Sequence, residues 1–318
     1  MLVTGASGFI GQVLCRQLLA LGCRLRVLQR TPEQSLPAGL AANLPADLPV
    51  DIALGDLCGH EHDLHQACAD IDVIFHLAAQ AHVNHSSREG LIETNVHGTR
   101  RLLQAAQQAG VRRIVFFSSI LAATANTDYG ESKREAEKLL LTAAGTDGIE
   151  VCCLRPANVY GPGMQGNLQT LIRLIRKRVF PPLPADAGQM SLVGVEDLCQ
   201  AALLAAINPQ ANGKTYTVTD GQSYALRDVE QAIRLALGQR LRRWSVPLWL
   251  LWLPALLLEL AGRLLPGQNL PGLRSYRMLT ADSRVSGEAI CHELGYTPHS
   301  TFYTALLEIL EQQAGIDS

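Results

Sequence analysis

A tyrosine and a lysine stand four residues apart in Tyr129-Gly130-Glu131-Ser132-Lys133, at the start of a stretch with helical character over Tyr129–Ala144. Positions i and i+4 share one face of a helix, so phenol and ammonium are neighbours. A nearby ammonium favours phenolate over phenol and lowers the tyrosine pKa. Tyr129 is therefore expected to act as a general acid/base near neutral pH, with Lys133 depressing its pKa. Ser119 closes the run Val115-Phe116-Phe117-Ser118-Ser119 and offers a hydroxyl to a substrate oxygen. Ser119, Tyr129 and Lys133 are the candidate catalytic set, suited to proton movement at an alcohol or ketone carbon.

A second constellation is Gly5-Ala6-Ser7-Gly8-Phe9-Ile10-Gly11, between a predicted strand Leu2–Thr4 and a predicted helix Gly11–Leu21. Its glycines allow a tight turn and close backbone approach to a pyrophosphate, and the helix start attracts the anion. Gly5, Ser7, Gly8, Phe9, Ile10 and Gly11 are thus candidate dinucleotide-binding residues, spaced G-x-x-G-x-x-G rather than G-x-G-x-x-G. The next strand ends Val27-Leu28-Gln29-Arg30. An acid there would hold the ribose hydroxyl of NAD, whereas an arginine accommodates the extra phosphate of NADP. Arg30 favours NADP(H), with NAD(H) still open; the alternative is a solvated arginine at a loop start. Asp56, beside Leu57 in Gly55-Asp56-Leu57, either accepts from the adenine amino group or caps a helix.

The elements that must position these residues alternate. Strands are predicted at Leu2–Thr4, Arg24–Gln29, Val50–Leu54, Val73–Ala78, Arg113–Ser118 and Val151–Arg155. Helices are predicted at Gly11–Leu21, Leu64–Ala69, Glu89–Ala109 and Tyr129–Ala144. Such alternation predicts an α/β fold, a doubly wound, mostly parallel sheet of Rossmann type, with ligands beyond the carboxyl ends of its strands. Residues 1–160 form the expected dinucleotide-binding domain, with segments near 190–220 returning to it. Residues 161–318 form a smaller, irregular C-terminal domain, mainly for substrate. Within it helices are predicted at Leu168–Arg178, Val195–Ile207 and Leu226–Leu237, and a strand at Thr215–Thr219. Val246–Leu265 approaches the length of a membrane span but contains Pro247, Pro254, Glu259 and Arg263. It reads as one or two apolar helices packed on a core, without a membrane span; the other reading is an apolar face that docks at a membrane surface.

Several function classes are excluded on composition. Net charge is −2 in 318 residues, with no basic stripe to bind nucleic acid. The eight cysteines lie mostly in apolar runs without metal spacing, as buried thiols in a reducing cytoplasm would. The motif beginning at Leu2 leaves no room for a signal peptide, and a cytoplasmic location is expected. His60-Glu61-His62 with Asp63 and His65 reads as solvated surface, and no metal is expected. Arg173, Arg176, Lys177 and Arg178 read as a solvated helix face. His82 and His85 follow a strand end and either face a substrate or are ordinary loop residues.

The quoted motifs, with Phe75-His76-Leu77-Ala78-Ala79, Asn95-Val96-His97-Gly98-Thr99 and Arg155-Pro156-Ala157-Asn158-Val159-Tyr160-Gly161-Pro162-Gly163, resemble the extended short-chain dehydrogenase/reductase family. That group comprises nucleotide-sugar epimerases, dehydratases and reductases, and the resemblance covers nearly the whole chain. It implies that Leu77, Ala78 and Ala79 line the adenosine side and that Asn95 supports the strand ends. It implies that Tyr129 and Lys133 also hold the nicotinamide ribose, with Pro156 to Val159 beside the nicotinamide. Asn167-Leu168 resembles the family's nucleotide-sugar contact, and Asn158, His82 and Ser119 are the other implied substrate contacts. His76–Val83 and Ser191–Leu198 are similar to reductases of UDP-4-keto-6-deoxy-N-acetylglucosamine and to UDP-hexose 4-epimerases.

Departures from the family pattern narrow the activity. Dehydratases of the family carry an Asp-Glu pair where Ile120-Leu121 stands here, which disfavours dehydration. Nine residues separate Ser119 from Tyr129, fewer than in relatives, which leaves a more open site or a chain lacking a loop. Gln189-Met190 stands where relatives have an arginine, and Arg274 or Arg277 is expected to supply that charge. The resemblance implies NADPH-dependent reduction of a UDP-4-keto-hexose at C4 by a homodimer paired through Glu89–Ala109 and Tyr129–Ala144. Its alternatives are a UDP-hexose 4-epimerase with retained NAD and a non-catalytic dinucleotide sensor or assembly subunit.

Overall fold

The computed structural model describes residues 1–31, 50–80, 87–145, 148–184, 186–241, 244–264 and 282–316. Ten strands run through them: β1 (Leu2–Thr4), β2 (Arg26–Gln29), β3 (Asp51–Leu54), β4 (Val73–His76), β5 (Arg113–Phe117), β6 (Glu150–Pro156), β7 (Asn158–Tyr160), β8 (Gln189–Gly194), β9 (Lys214–Val218) and β10 (Ser223–Ala225). The chain divides into two compact units. The first holds Met1–Ala157, Val195–Val218 and Ser286–Thr297; the second holds the remaining segments.

In the first unit seven strands form one parallel sheet in the order β3-β2-β1-β4-β5-β6-β9. The order reverses between β1 and β4, which makes that gap the switch point where a ligand crevice opens. The apolar strands follow from burial on both faces. Leu2, Ile74, Ile114, Phe116, Val151 and Cys153 join one core cluster with the helices Glu61–Cys68, Gly98–Gln108 and Asp128–Ala143. One residue along, the side chains point the other way. There Arg113 donates from Nη1 to the carbonyls of Ala205 and Asn208, both at 2.8 Å, at the end of the helix Val195–Ile207. Arg113 is buried and pairs with Glu150 at 2.7 Å, so its charge is compensated at every donor the fold buries.

The predicted helix Glu89–Ala109 is not uniform. It is an α-turn Arg88–Ile92, a π-turn Glu93–His97 and an α-helix Gly98–Gln108 in succession. The wider turn inserts an extra residue where Asn95 is buried, a habit of functional sites.

The second unit holds a three-stranded sheet, β10-β8-β7, with β7 parallel and β10 antiparallel to β8. These three strands fall where no strand is predicted; β7 and β10 have three residues each, too few to show a period. Buried Asp220 ties the unit together: its Oδ2 accepts from Tyr160 at 3.1 Å and Tyr224 at 2.6 Å, and the Tyr224 hydroxyl accepts from the Phe302 amide. That last bond holds the C-terminal helix Phe302–Ile316. Buried Arg234 and Glu230 pair on the helix Leu226–Ala236, and Arg234 also donates to the Phe180 carbonyl at 2.8 Å.

Residues 248–264 correct the reading of Val246–Leu265. One helix, Leu248–Leu264, runs through Pro254, and Trp249, Leu250, Trp252, Leu253 and Leu257 are exposed rather than packed on a core. Among its described side chains Ala255 is buried. No helix among the described residues is long and apolar enough to cross a membrane.

Candidate active site

The loop after β1 is built for close approach. Gly5 has φ +74°, and a Cβ there would stand 2.7 Å from the Ala78 amide nitrogen. A Cβ on Gly11 would stand 2.2 Å from the Gly5 carbonyl oxygen. Only glycine allows the turn, and the Gly8 amide closes it onto the Gly5 carbonyl at 3.0 Å. The helix Phe9–Ala20 follows, capped by Gly8, with Ser7 and Gly8 exposed and Phe9 and Ile10 half-buried. No acid lies in its first turn, so its N-terminal field is left for an anion.

The loop after β4 lies against this turn. The amides of Leu77 and Ala78 donate to the Thr4 carbonyl (3.2 Å) and hydroxyl (3.1 Å). Buried His76 orders the network. Thr99 donates to the Asn95 carbonyl at 2.6 Å, so His76 Nε2–H donates to Thr99, and the Thr4 hydroxyl donates to His76 Nδ1 at 2.8 Å. Burial and the charge of Lys133 push the His76 pKa down to about 3, so the ring is neutral.

Asn95 connects this loop to the catalytic helix. Its Nδ2 donates to the Gln80 carbonyl (3.2 Å) and the Ser132 hydroxyl (3.0 Å), while its Oδ1 accepts from the Gln80 amide at 2.8 Å. Ser132 donates onward to the Tyr129 carbonyl at 2.8 Å. The helix Asp128–Ala143 is capped by Thr127, which accepts from the Gly130 amide at 3.0 Å. A Cβ on Gly130 would stand 2.4 Å from the Leu121 carbonyl oxygen, so glycine lets this helix meet the short turn Leu121–Thr124 after Ser119.

Lys133 is buried, donates to the Phe117 carbonyl at 2.7 Å and lies 4.5 Å from the Phe116 ring centroid. The carboxylate one turn on, Glu137, is engaged by Arg155 through bonds of 2.8 and 2.5 Å. Desolvation therefore prevails over the pull of Glu137, and the Lys133 pKa falls to about 7. Tyr129 corrects the expectation of a lowered phenol: burial pushes its pKa up to about 12. The ammonium faces the Phe117 carbonyl instead, and no hydrogen bond joins Tyr129 to Lys133 or Ser119 among the described residues. Tyr129 is a phenol at neutral pH. Ser119 is half-buried, and its Oγ accepts from the Leu121 amide at 3.2 Å.

Arg30 follows β2, exposed and without an ion pair among the described residues. Asp56 is not a helix cap: its Oδ1 accepts from the Cys58 amide at 2.9 Å, while His60 occupies the N-cap position of the helix Glu61–Cys68 without a side-chain capping bond. Leu57 is buried beside it. Ala79 is half-buried next to Ala78, and the Pro156 carbonyl accepts from the Ile120 amide at 3.2 Å. In the second unit Asn158 and Asn167 are exposed and Val159 and Leu168 half-buried. His82, His85, Arg274 and Arg277 lie outside the described residues.

Two polar atoms missed by sequence reasoning mark the crevice. Gln29 Oε1, at the end of β2, and Ser118 Oγ, just past β5, are buried without a hydrogen-bond partner among the described residues. Buried polar atoms are rarely left so, and both stand at carboxyl ends of parallel strands. With the glycine cradle, they fit a polar dinucleotide along this edge. Gln29 and Ser118 sit inside the quoted motifs, but only the fold shows them as orphans.

The NAD dependent epimerase/dehydratase family model matches residues 1–219. A UDP-glucose 4-epimerase of Vibrio cholerae is 28% identical over 78% of this chain and 79% of its own length. Sterol demethylase protein B of Methylococcus capsulatus is 30% identical over 94% of each chain. DesIV, a dTDP-glucose 4,6-dehydratase of Streptomyces venezuelae solved with NAD bound, superposes with a TM-score of 0.76 at 24% identity, covering 99% of this chain and 96% of its own; that likeness is one of fold. On the match of the family model and the geometry of the strand ends, the chain belongs to the NAD-dependent epimerase/dehydratase family of extended short-chain dehydrogenase/reductases and is an NAD(P)-dependent enzyme of that type.

Proposed function

We propose that the chain is an NADP(H)-dependent reductase of the 4-keto group of a UDP-linked hexose. The observation that carries the reading is the placement of Tyr129, a half-buried phenol at the start of the helix Asp128–Ala143 with Lys133 one turn on, its pKa raised by desolvation. Reduction of a ketone leaves an alkoxide that needs a proton donor, and Tyr129 is one at working pH. A bound NADPH would supply the hydride. Ser119 would hold the ketone oxygen, Tyr129 would protonate it, and Lys133, adjusting its charge near pH 7, would stabilise the tyrosinate left behind. Arg30, exposed at the end of β2, supports a phosphate on the adenosine ribose. Ile120-Leu121 in place of an acidic pair argues against dehydration. Asn158, Asn167 and Leu168 would meet the nucleotide sugar, together with His82, Arg274 and Arg277. The reading includes a homodimer paired through Gly98–Gln108 and Asp128–Ala143, which sedimentation would reveal as twice the chain mass.

A second substrate reading is favoured by the sterol demethylase relative, which aligns along nearly the full length of both chains. A ring hydroxyl or ketone of a sterol calls for the same hydride and proton transfers. The deciding experiment supplies UDP-4-keto-6-deoxy-N-acetylglucosamine with NADPH and, separately, NADH. Consumption of NADPH matched by a 4-hydroxy sugar supports the reductase. Turnover of a hydroxysteroid alone would replace it with the sterol reading, and interconversion of UDP-hexoses without added cofactor would replace it with the epimerase.

A further inference from the structure

The helix Leu248–Leu264 presents an apolar face to solvent. Trp249, Trp252, Leu253 and Leu257 are exposed and spaced by three, four and eight residues, one stripe of a helix. Trp249 is 70% exposed, whereas Ala255, on the opposite side, is 7%. Leu241 and Trp244, just ahead, are exposed too. All three tryptophans of the chain therefore fall within residues 244–252. A monomer seldom leaves so large an apolar patch in water without a use for it.

Charge says what covers it. Arg240, Arg242 and Arg243 precede the helix and Arg263 stands near its end; Glu259 is the one acid from 240 to 264. This segment is cationic in a chain whose net charge is −2. Pairing of this segment with a second copy would set two segments of the same net positive charge side by side, which repel. Over its described residues the helix is too short to cross a bilayer: 17 residues rise about 25 Å against a hydrocarbon core of about 30 Å. Lying in the plane of the interface meets every constraint. Tryptophan favours the headgroup level, the leucines enter the acyl boundary, and the arginines meet anionic headgroups.

We propose that the exposed apolar face of the helix Leu248–Leu264 is a docking surface for an anionic lipid bilayer, seated at the headgroup–acyl boundary, with the arginines that flank it in sequence drawn to the anionic headgroups. The chain carries its own reporter, since its tryptophan emission arises entirely from this segment. The full-length protein is mixed with vesicles of phosphatidylcholine alone or with added phosphatidylglycerol. The expected result is co-sedimentation with the anionic vesicles, a blue shift of the emission, and quenching by brominated acyl chains. Arg240→Glu/Arg242→Glu/Arg243→Glu should weaken that binding at least ten-fold, each lost attraction being worth several-fold. Should that variant misfold, the two vesicle compositions decide with the wild-type chain. Unchanged emission without co-sedimentation, equal binding to neutral vesicles, or a blue shift that follows protein concentration without vesicles would each overturn the proposal, the last in favour of a second copy.

Discussion

Tyr129 and Lys133 are both biased towards their neutral forms, and the cause is shared. Burial discourages the phenolate of one and the ammonium of the other, while the carboxylate that could have kept Lys133 charged is bound by Arg155. The pair is poised to hold a proton on Tyr129 and to vary it on Lys133. Tyr129→Phe removes the donor and leaves the glycine loop untouched. Its turnover should fall by about 10²–10⁴-fold, with dinucleotide affinity by fluorescence titration within a few-fold of wild type. Turnover close to wild type would take Tyr129 out of the chemistry. Arg30→Ala should weaken NADPH by about ten-fold or more, a loss typical of a charge-assisted hydrogen bond, and leave NADH nearly unchanged. Equal loss for both would mean that Arg30 reads no phosphate.

At the scale of elements, the site is a set of strand ends braced by one another. Gly11→Ala sets a methyl 2.2 Å from a backbone oxygen. The helix must shift, so unfolding in urea should show a loss of about 1–3 kcal/mol together with much weaker dinucleotide binding. Gly22→Ala is the contrast: its φ is +73° with nothing near, so it should cost stability without affecting binding. Matching losses of binding in both would mean that the tight turn is not what matters.

The parallel order of these strands was legible because apolar runs alternate with helical stretches, and the glycine loop announced its own turn. The π-turn at Asn95 was not, since one inserted residue leaves the helical periodicity of Glu89–Ala109 nearly intact. The charge states of His76, Lys133 and Tyr129 were hidden for another reason. Desolvation depends on what packs around a side chain, and spacing along the chain carries no record of it. The exposed helix Leu248–Leu264 was misjudged as core because apolar composition alone does not tell packing from presentation.

Across the whole molecule, the buried neutral groups tie stability to pH. His76 has a folded pKa of about 3 against 6.5, and Lys133 about 7 against 10.5. Inside each window the unfolded chain holds a proton that the folded chain does not, so stability rises with pH through it, by about 1.4 kcal/mol per pH unit for one proton. Stability should therefore fall as pH drops from 6.5 towards 3. It should climb above pH 7 until the thiols of Cys15, Cys68 and Cys152, pushed up to about 12, begin to pull the other way near 9. Lys133→Met should abolish the climb from 7 to 9 and the activity with it. A climb that survives the substitution would place the titrating group elsewhere.

Hydride delivery from NADPH to a sugar ketone, as proposed, is tested most directly by isotope transfer. The enzyme is given NADPH deuterated at the nicotinamide C4 on either face, with UDP-4-keto-6-deoxy-N-acetylglucosamine, and the product is read by mass spectrometry and NMR. One deuterium at C4 of the sugar from one face of the cofactor, and none from the other, is the predicted result. A product without deuterium from either face, or no product while the protein still binds NADPH, would contradict it.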